Sequence, residues 1–229
     1  MKIYSFSSKG NRFLNQDYFK NVVILKDISM HIVADGIGGY KYGELAAKIA
    51  TDTFTDFIVQ NIKNTSIENN INMAFVAANN AVIEESKKLK SKIGTTIAGV
   101  IINQNDIYAF WLGDVRIYLF RGNKQLFVSK DHSLINQMRN EEIVPIEKID
   151  KYKHIITKSI PEKYFKDPVP IVKLNKEQND TIIICSDGLH NNIDPCIFIE
   201  KKNVDLDKYL NEYSSKMNDN YTITLLKEK

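Results

Sequence analysis

The chain has 229 residues, 43% of them hydrophobic and 26% charged, which is the balance of a globular protein with room for one large core. A formal net charge of +3, with its lysines spread out, lacks the concentrated basic stripe of a nucleic-acid binder. Cys185 and Cys196 make neither a CxxC pair nor a disulfide framework, no stretch reaches the length of a membrane span, and MKIYSFSSKG has no signal-peptide core, so the expectation is a soluble, reducing, cytoplasmic protein.

In chain order, KIYSFSS alternates as a strand and GNRFLNQDYF reads as a polar loop. NVVILKD and SMHIVAD predict two strands, followed by the glycine-rich turn GIGGYKYG. Leu45, Ile49, Phe54, Phe57 and Ile58 repeat at helical spacing and predict a helix over about 44–61, which Asn64, Thr65 and Ser66 break. Ile71, Phe75, Ala78, Val82 and Leu89 predict a second helix over about 67–90. From 94 to 130 the pattern is β: TTIAGVIIN, DIYAFWLGD, RIYLFRG and KQLFVSKD, with connections short enough for antiparallel hairpins. SLINQMRNEE predicts a short helix, and 145–167 a charged, mobile surface segment. VPIVKL and TIIICSD read as strands, DPCIFIEKK and DLDKYLNEYSSKM as helices, and YTITLLK as a closing strand. No repeat and no linker divides the chain, so the pattern predicts one α+β domain over 1–229 with substantial antiparallel sheet.

Four aspartates end apolar, β-rich runs: Asp35, Asp114, Asp187 and Asp219. Carboxylates at the mouths of buried strands are costly unless compensated. Oxygen donors gathered from distant parts of a chain suit a hard cation, Mg²⁺ or Mn²⁺. Four such acids can chelate two cations, the clamp used for in-line displacement at phosphorus. Asp35 can bridge two ions while Gly36 lets its own carbonyl approach. Arg12, five residues before Asp17, is placed to fork two phosphate oxygens.

Read in order, the chain shows Arg12 with Asn15-Gln16-Asp17, then Asp35-Gly36-Ile37-Gly38-Gly39, Gly94-Thr95-Thr96, Gly113-Asp114-Val115-Arg116, Asp131-His132-Ser133, Ser186-Asp187-Gly188 and Asp219-Asn220-Tyr221-Thr222. This series resembles the PP2C (PPM) family of metal-dependent protein serine/threonine phosphatases in their compact bacterial form, over about residues 3–226. The resemblance implies a four-layer α-β-β-α sandwich: two antiparallel sheets, helices on both outer faces and a metal cleft at one end. It implies two Mn²⁺ or Mg²⁺ ions and a weaker third. Asp35 would bridge two ions and the Gly36 carbonyl would serve one of them. Asp187 and Asp219 would serve the other, and Asp114 would hold the third with Asp187. Asp17 would support the metal shell, and Arg12 would bind the phosphate. The implied reaction is attack of a hydroxide held between the metals on a phosphoserine or phosphothreonine phosphorus, with Arg12, Asp35 and Asp187 at its centre. The implied partners are phosphorylated proteins and a Ser/Thr kinase, with no nucleic acid, no membrane and a monomeric enzyme.

Two departures bear on the chemistry. Ile37 stands where eukaryotic members carry a histidine after the Asp-Gly pair, so the proton donor is unassigned. GDVR replaces GDSR, which keeps Asp114 and Arg116. Within a flap-like segment around 138–167, Pro145 to Asp167 matches the family's variable flap poorly, which leaves substrate preference open. Arg116 is expected to order local structure through Asp114 or a neighbouring loop. His31, His132, His154 and His190 show no zinc spacing; His31 reads as structural, and His132, after a motif aspartate, as structural or catalytic. Other readings of the same residues are a phosphatase of a phosphorylated regulatory protein such as an anti-sigma-factor antagonist, a non-catalytic phosphoprotein-binding module, and a metal-dependent nuclease.

Overall fold

The computed structural model describes residues 1–140, 152, 155–162, 165, 168–200 and 206–228. In chain order these form β1 (Lys2–Ser8), β2 (Asp17–Leu25), β3 (Ile28–Gly36), α1 (Gly43–Asn61), α2 (Ile67–Leu89), β4 (Thr95–Asn103), β5 (Asp106–Leu112), β6 (Arg116–Arg121), β7 (Lys124–Val128), α3 (Leu134–Asn140), β8 (Ile171–Asn175), β9 (Asp180–Cys185), α4 (Asp187–His190), α5 (Ile197–Glu200), α6 (Leu206–Tyr213) and β10 (Tyr221–Lys227). The long helices form where periodicity placed them. Ser66 starts α2 by accepting a hydrogen bond from the Asn69 amide, and Lys90 ends it in the left-handed conformation.

Side-chain alternation then sorts the strands into layers, because neighbours along a strand face opposite ways. On β5, Ile107, Ala109 and Trp111 pack with Ile117 and Leu119 of β6 and with Ile182 and Ile184 of β9. The intervening Tyr108, Phe110 and Leu112 pack instead with Phe54 of α1 and Phe75 of α2. Phe110 stacks on Phe54 with ring centroids 4.9 Å apart. Tyr118 and Phe120 of β6 and Ile183 and Cys185 of β9 meet Leu189, Phe198 and Leu210 from the three C-terminal helices. Each such side chain, once fully buried, contributes about 1.5–3 kcal/mol. Three apolar interfaces thus separate four layers in the order helix, sheet, sheet, helix. The sheets run β1-β10-β9-β6-β7 and β2-β3-β4-β5-β8, with every pairing antiparallel. The fold implied by the resemblance is the one observed.

Several local expectations need correction. Asp17 to Phe19 open β2 instead of closing a loop, because they pair in register with β3. β5 and β6 are not a hairpin. Gly113, at φ +117°, turns the chain so that β5 stays in one sheet and β6 enters the other. In the 194–202 stretch, only Ile197–Glu200 is helical among the described residues. Much of the flap-like segment 138–167, His154 included, lies outside the described residues. Two of its described residues are tied down: Ile160 exchanges backbone hydrogen bonds of 2.7 and 2.8 Å with Thr95, and Ile156 bridges Ser133. No helix among the described residues is long and apolar enough to cross a membrane.

Candidate active site

Strand register builds one wall of the site. Asp17 on β2 lies directly opposite Asp35 on β3, and Asp35 lies opposite Thr96 on β4. Directly opposed residues share a sheet face, with Cβ atoms about 4.5–5.5 Å apart, and like charges so placed repel. The other sheet supplies the facing wall. Asp187 opens α4 just beyond β9, and Asp219 precedes β10, the neighbour of β9. Asp114 sits in the link between the sheets. A cleft of about 400 Å³ is lined by Arg12, Gln16, Asp35, Gly36, Thr96, Asp114, Ile156, Asp187, Asp219 and Asn220 among others.

Two glycines allow the walls to close. A Cβ on Gly36 would lie 2.4 Å from the Gly43 backbone, so the start of α1 packs directly on the Asp35-Gly36 peptide. A Cβ on Gly188 would lie 1.9 Å from the Asn220 carbonyl oxygen. Backbone contact there holds Asp187 beside Asp219.

The gathered acids perturb one another. Burial, then Asp17, Asp187, Asp114 and Asp219, push the Asp35 carboxyl well above the usual carboxylate range. Burial also raises Asp17; the Ser186 and Thr222 hydroxyls oppose that rise, and Asp187 and Asp219 add to it. Asp114 is pushed up to about 7 by burial first and by Asp187 and Asp131 next. Asp17 does not line the cleft; it lies beneath, 7% exposed, accepting a 2.7 Å hydrogen bond from the Ser186 hydroxyl. One oxygen each of Asp17 and Asp114 is buried without a hydrogen-bond partner. An unsatisfied buried acceptor costs about 1–3 kcal/mol, more when charged. The donor set is all oxygen, its charge is one-signed and some of its lone pairs are unmet, which fits a hard divalent cation.

Arg12 stands at the mouth and forks Asp219, Nε to Oδ1 at 2.9 Å and Nη2 to Oδ2 at 2.8 Å. Among the described residues no three of these carboxylates converge closely enough to enclose an ion in this arrangement. Both Asp219 carboxylate oxygens are thus engaged by Arg12. Arg116 forks Asp131 at 2.8 and 2.7 Å, so it orders the following loop and not Asp114. Ser186 and Asn220, given no role from sequence, act as braces. The Asn220 side chain donates to the Lys9 and Leu14 carbonyls and accepts from the Gln16 amide, which fixes the loop carrying Arg12. Their only signal in the sequence is adjacency to Asp187 and Asp219.

The described histidines are structural. His31 bonds Asn21 and Ser29, and His132 Nδ1 accepts from the Gly113 amide. His190 Nε2 lies 3.0 Å from the Asp114 carbonyl and holds the inter-sheet link in place.

Comparison with known proteins converges on the same identity. A family model described as Protein phosphatase 2C matches residues 7–228. The chain belongs to the protein phosphatase 2C family, and is a protein phosphatase, an enzyme that hydrolyses phosphoric monoesters. It is similar to the protein phosphatase PhpP of Streptococcus pneumoniae, at 29% identity over 78% of this chain and 74% of that one. Its fold matches the serine/threonine phosphatase of S. agalactiae with a TM-score of 0.85 and 24% identity, covering 100% of this chain and 99% of the other. It also matches the catalytic domain of the phosphatase PstP in complex with two manganese ions, with a TM-score of 0.78 and 19% identity over 98% and 96% of the two chains.

Proposed function

We propose that residues 1–229 form one phosphatase domain that removes phosphate from phosphoserine and phosphothreonine in proteins, with Mn²⁺ or Mg²⁺ as cofactor. The observation that carries this reading is a set of repelling aspartates, Asp35 and Asp114 half-buried in the wall of a cleft and Asp17 buried beneath it, with one unmet oxygen each on Asp17 and Asp114 and a guanidinium at the cleft's mouth. Asp35, the Gly36 carbonyl, Asp187 and Asp219 would hold two ions, and Asp114 with Asp187 a weaker third. Asp17 would support them from below. Bound cations would activate water at neutral pH and offset charge on the phosphoryl oxygens. The chain's own contribution is positional. Arg12 exchanges Asp219 for two phosphate oxygens, using the same planar fork. Ile37 presents no titratable group at the cleft, so the residue after the Asp-Gly pair cannot protonate the leaving oxygen.

The named serine/threonine phosphatases among its relatives support the substrate class, and a Ser/Thr protein kinase would then supply the phosphorylated partner. The same reading has the enzyme acting as a cytoplasmic monomer, consistent with two free cysteines, and binding neither nucleic acid nor membrane. The test is phosphate release from a phosphothreonine peptide by the purified chain, with Mn²⁺ and with EDTA. Release should require the metal; metal-independent release, or none from folded protein, rejects the proposal. Arg12→Ala should raise KM for the peptide about tenfold without weakening Mn²⁺ binding, since Asp219 is then freed. An unchanged KM would remove Arg12 from the phosphate site.

A further inference from the structure

Beside the main cleft lies a second cavity of about 230 Å³ that shares Asp114 and Asp187 with it and is closed by Arg116, Asp131, Asn136 and Arg139. The four arginines of the chain are not in equivalent states. Arg12 is clasped by Asp219, Arg116 by Asp131 and Arg121 by Asp180. Arg139 has no carboxylate partner among the described residues and reaches this cavity from the last turn of α3. That helix is anchored. Ile135 is buried, and the Asn136 side chain donates a 2.9 Å hydrogen bond to the Asp131 carbonyl. Spacings of three and four residues, one helical turn, place Arg139 over the same face as Asn136 and Ile135.

We propose that this cavity is a subsite for an anionic group flanking the phosphorylated residue of the substrate, either an acidic side chain or a second phosphate, with Arg139 as its cation. The inference rests on the phosphatase reading above. The charge balance supports it. The Asp131 carboxylate is already matched by the Arg116 fork, and Asp114 and Asp187 face the proposed cations. Among the described residues the guanidinium of Arg139 is what remains uncompensated, and it can receive a carboxylate or phosphate in a bidentate fork. The cavity adjoins the place where the phosphoryl group must sit. Successive residues of an extended peptide are about 3.3–3.6 Å apart, so a side chain one or two positions away can enter it.

The test is binding, with Mn²⁺ present, of peptides carrying a non-hydrolysable phosphonate analogue of phosphothreonine. Three flanks are compared: alanine, glutamate, and a second phosphoserine, each within two residues of the analogue. The wild-type chain should bind the anionic flanks about tenfold more tightly than the neutral one. Arg139→Gln should bring that ratio close to one, and Arg139→Lys should retain part of it because charge survives without the fork. The arm with the larger loss identifies carboxylate or phosphate as the preferred group. Equal ratios in wild type and Arg139→Gln, or no preference in the wild type, overturn the subsite. Because binding is read without turnover, failure of the phosphatase reading would show separately, as preferential binding of peptides whose hydrolysable forms are not dephosphorylated.

Discussion

Asp35→Asn is expected to lower metal-dependent phosphatase activity by roughly a thousandfold or more, and at the same time to make the metal-free protein more stable. The loss follows from its place. Asp35 lies between the two sheets' acids, opposite Asp17, and its roles are the ones the proposed cations depend on. Several kcal/mol of transition-state stabilisation at about 1.4 kcal/mol per tenfold account for a loss of that order. The gain follows from the same neighbours. Burial and four other aspartates raise the Asp35 carboxyl well above its ordinary range. Near pH 7 the free group would ionise, so keeping it buried and protonated opposes folding. A neutral amide of the same shape removes that opposition and should raise the stability of the metal-free protein. Urea denaturation in EDTA measures the second effect and phosphate release with Mn²⁺ the first. A variant that is both inactive and less stable would show that Asp35 is a structural residue.

The stability of the metal-free protein should fall as pH rises above about 6.5, and Mn²⁺ should flatten or reverse that fall. A carboxyl with a raised folded-state pKa keeps its proton in the native state after the unfolded chain has released its own. Stability then declines with pH until the folded-state pKa is passed, by about 1.4 kcal/mol per pH unit for each retained proton. Asp114 and Asp17, each at about 7, complete their decline near neutrality, and the raised Asp35 carboxyl acts in the same direction. Below about pH 6.5 three groups act in the opposite sense. Burial lowers His31, His132 and His190 to about 4, so the unfolded chain takes up protons there and stability rises with pH. That rise is complete once the unfolded-state histidines are neutral, which is why the diagnostic window lies above 6.5. A cation binds the ionised carboxylates, and at a thousand times its dissociation constant it contributes about 4 kcal/mol. Melting curves in EDTA and in Mn²⁺ at several pH values between about 6.5 and 7.5 decide the matter. A metal-free melting temperature that is flat or rising across that window would mean the aspartates are not held protonated.

Much of the molecule was legible in the sequence because local physics dominates it. α1 and α2 follow the 3.6-residue period of Leu45, Ile49 and Phe54 and of Ile71, Phe75 and Val82, and β4 and β10 match their apolar runs residue for residue. Strand-end aspartates with adjacent glycines, repeated in one order, were enough to nominate the cleft residues before any contact was known. What misled was proximity along the chain. β5 and β6 are separated by a three-residue link, yet they lie in different sheets, because Gly113 at positive φ redirects a chain that is apolar on both sides. The polar run ending in Asp17 read as a loop, yet pairing with β3 draws its end into the sheet.

The acids around Asp35 were therefore nominated by sequence alone as candidate oxygen donors for a hard cation, since residue type and position at strand ends carry that information. Their separate situations were decided only by tertiary structure. Register put Asp17 opposite Asp35, backbone contact at Gly188 put Asp187 beside Asp219, and Arg12 was found clasping Asp219 at the mouth. The place of Arg139 in a neighbouring cavity, with no carboxylate partner among the described residues, belongs to the same class of fact. Pairing, burial and pKa depend on distances between groups remote in the chain, and packing of the two sheets is what sets those distances.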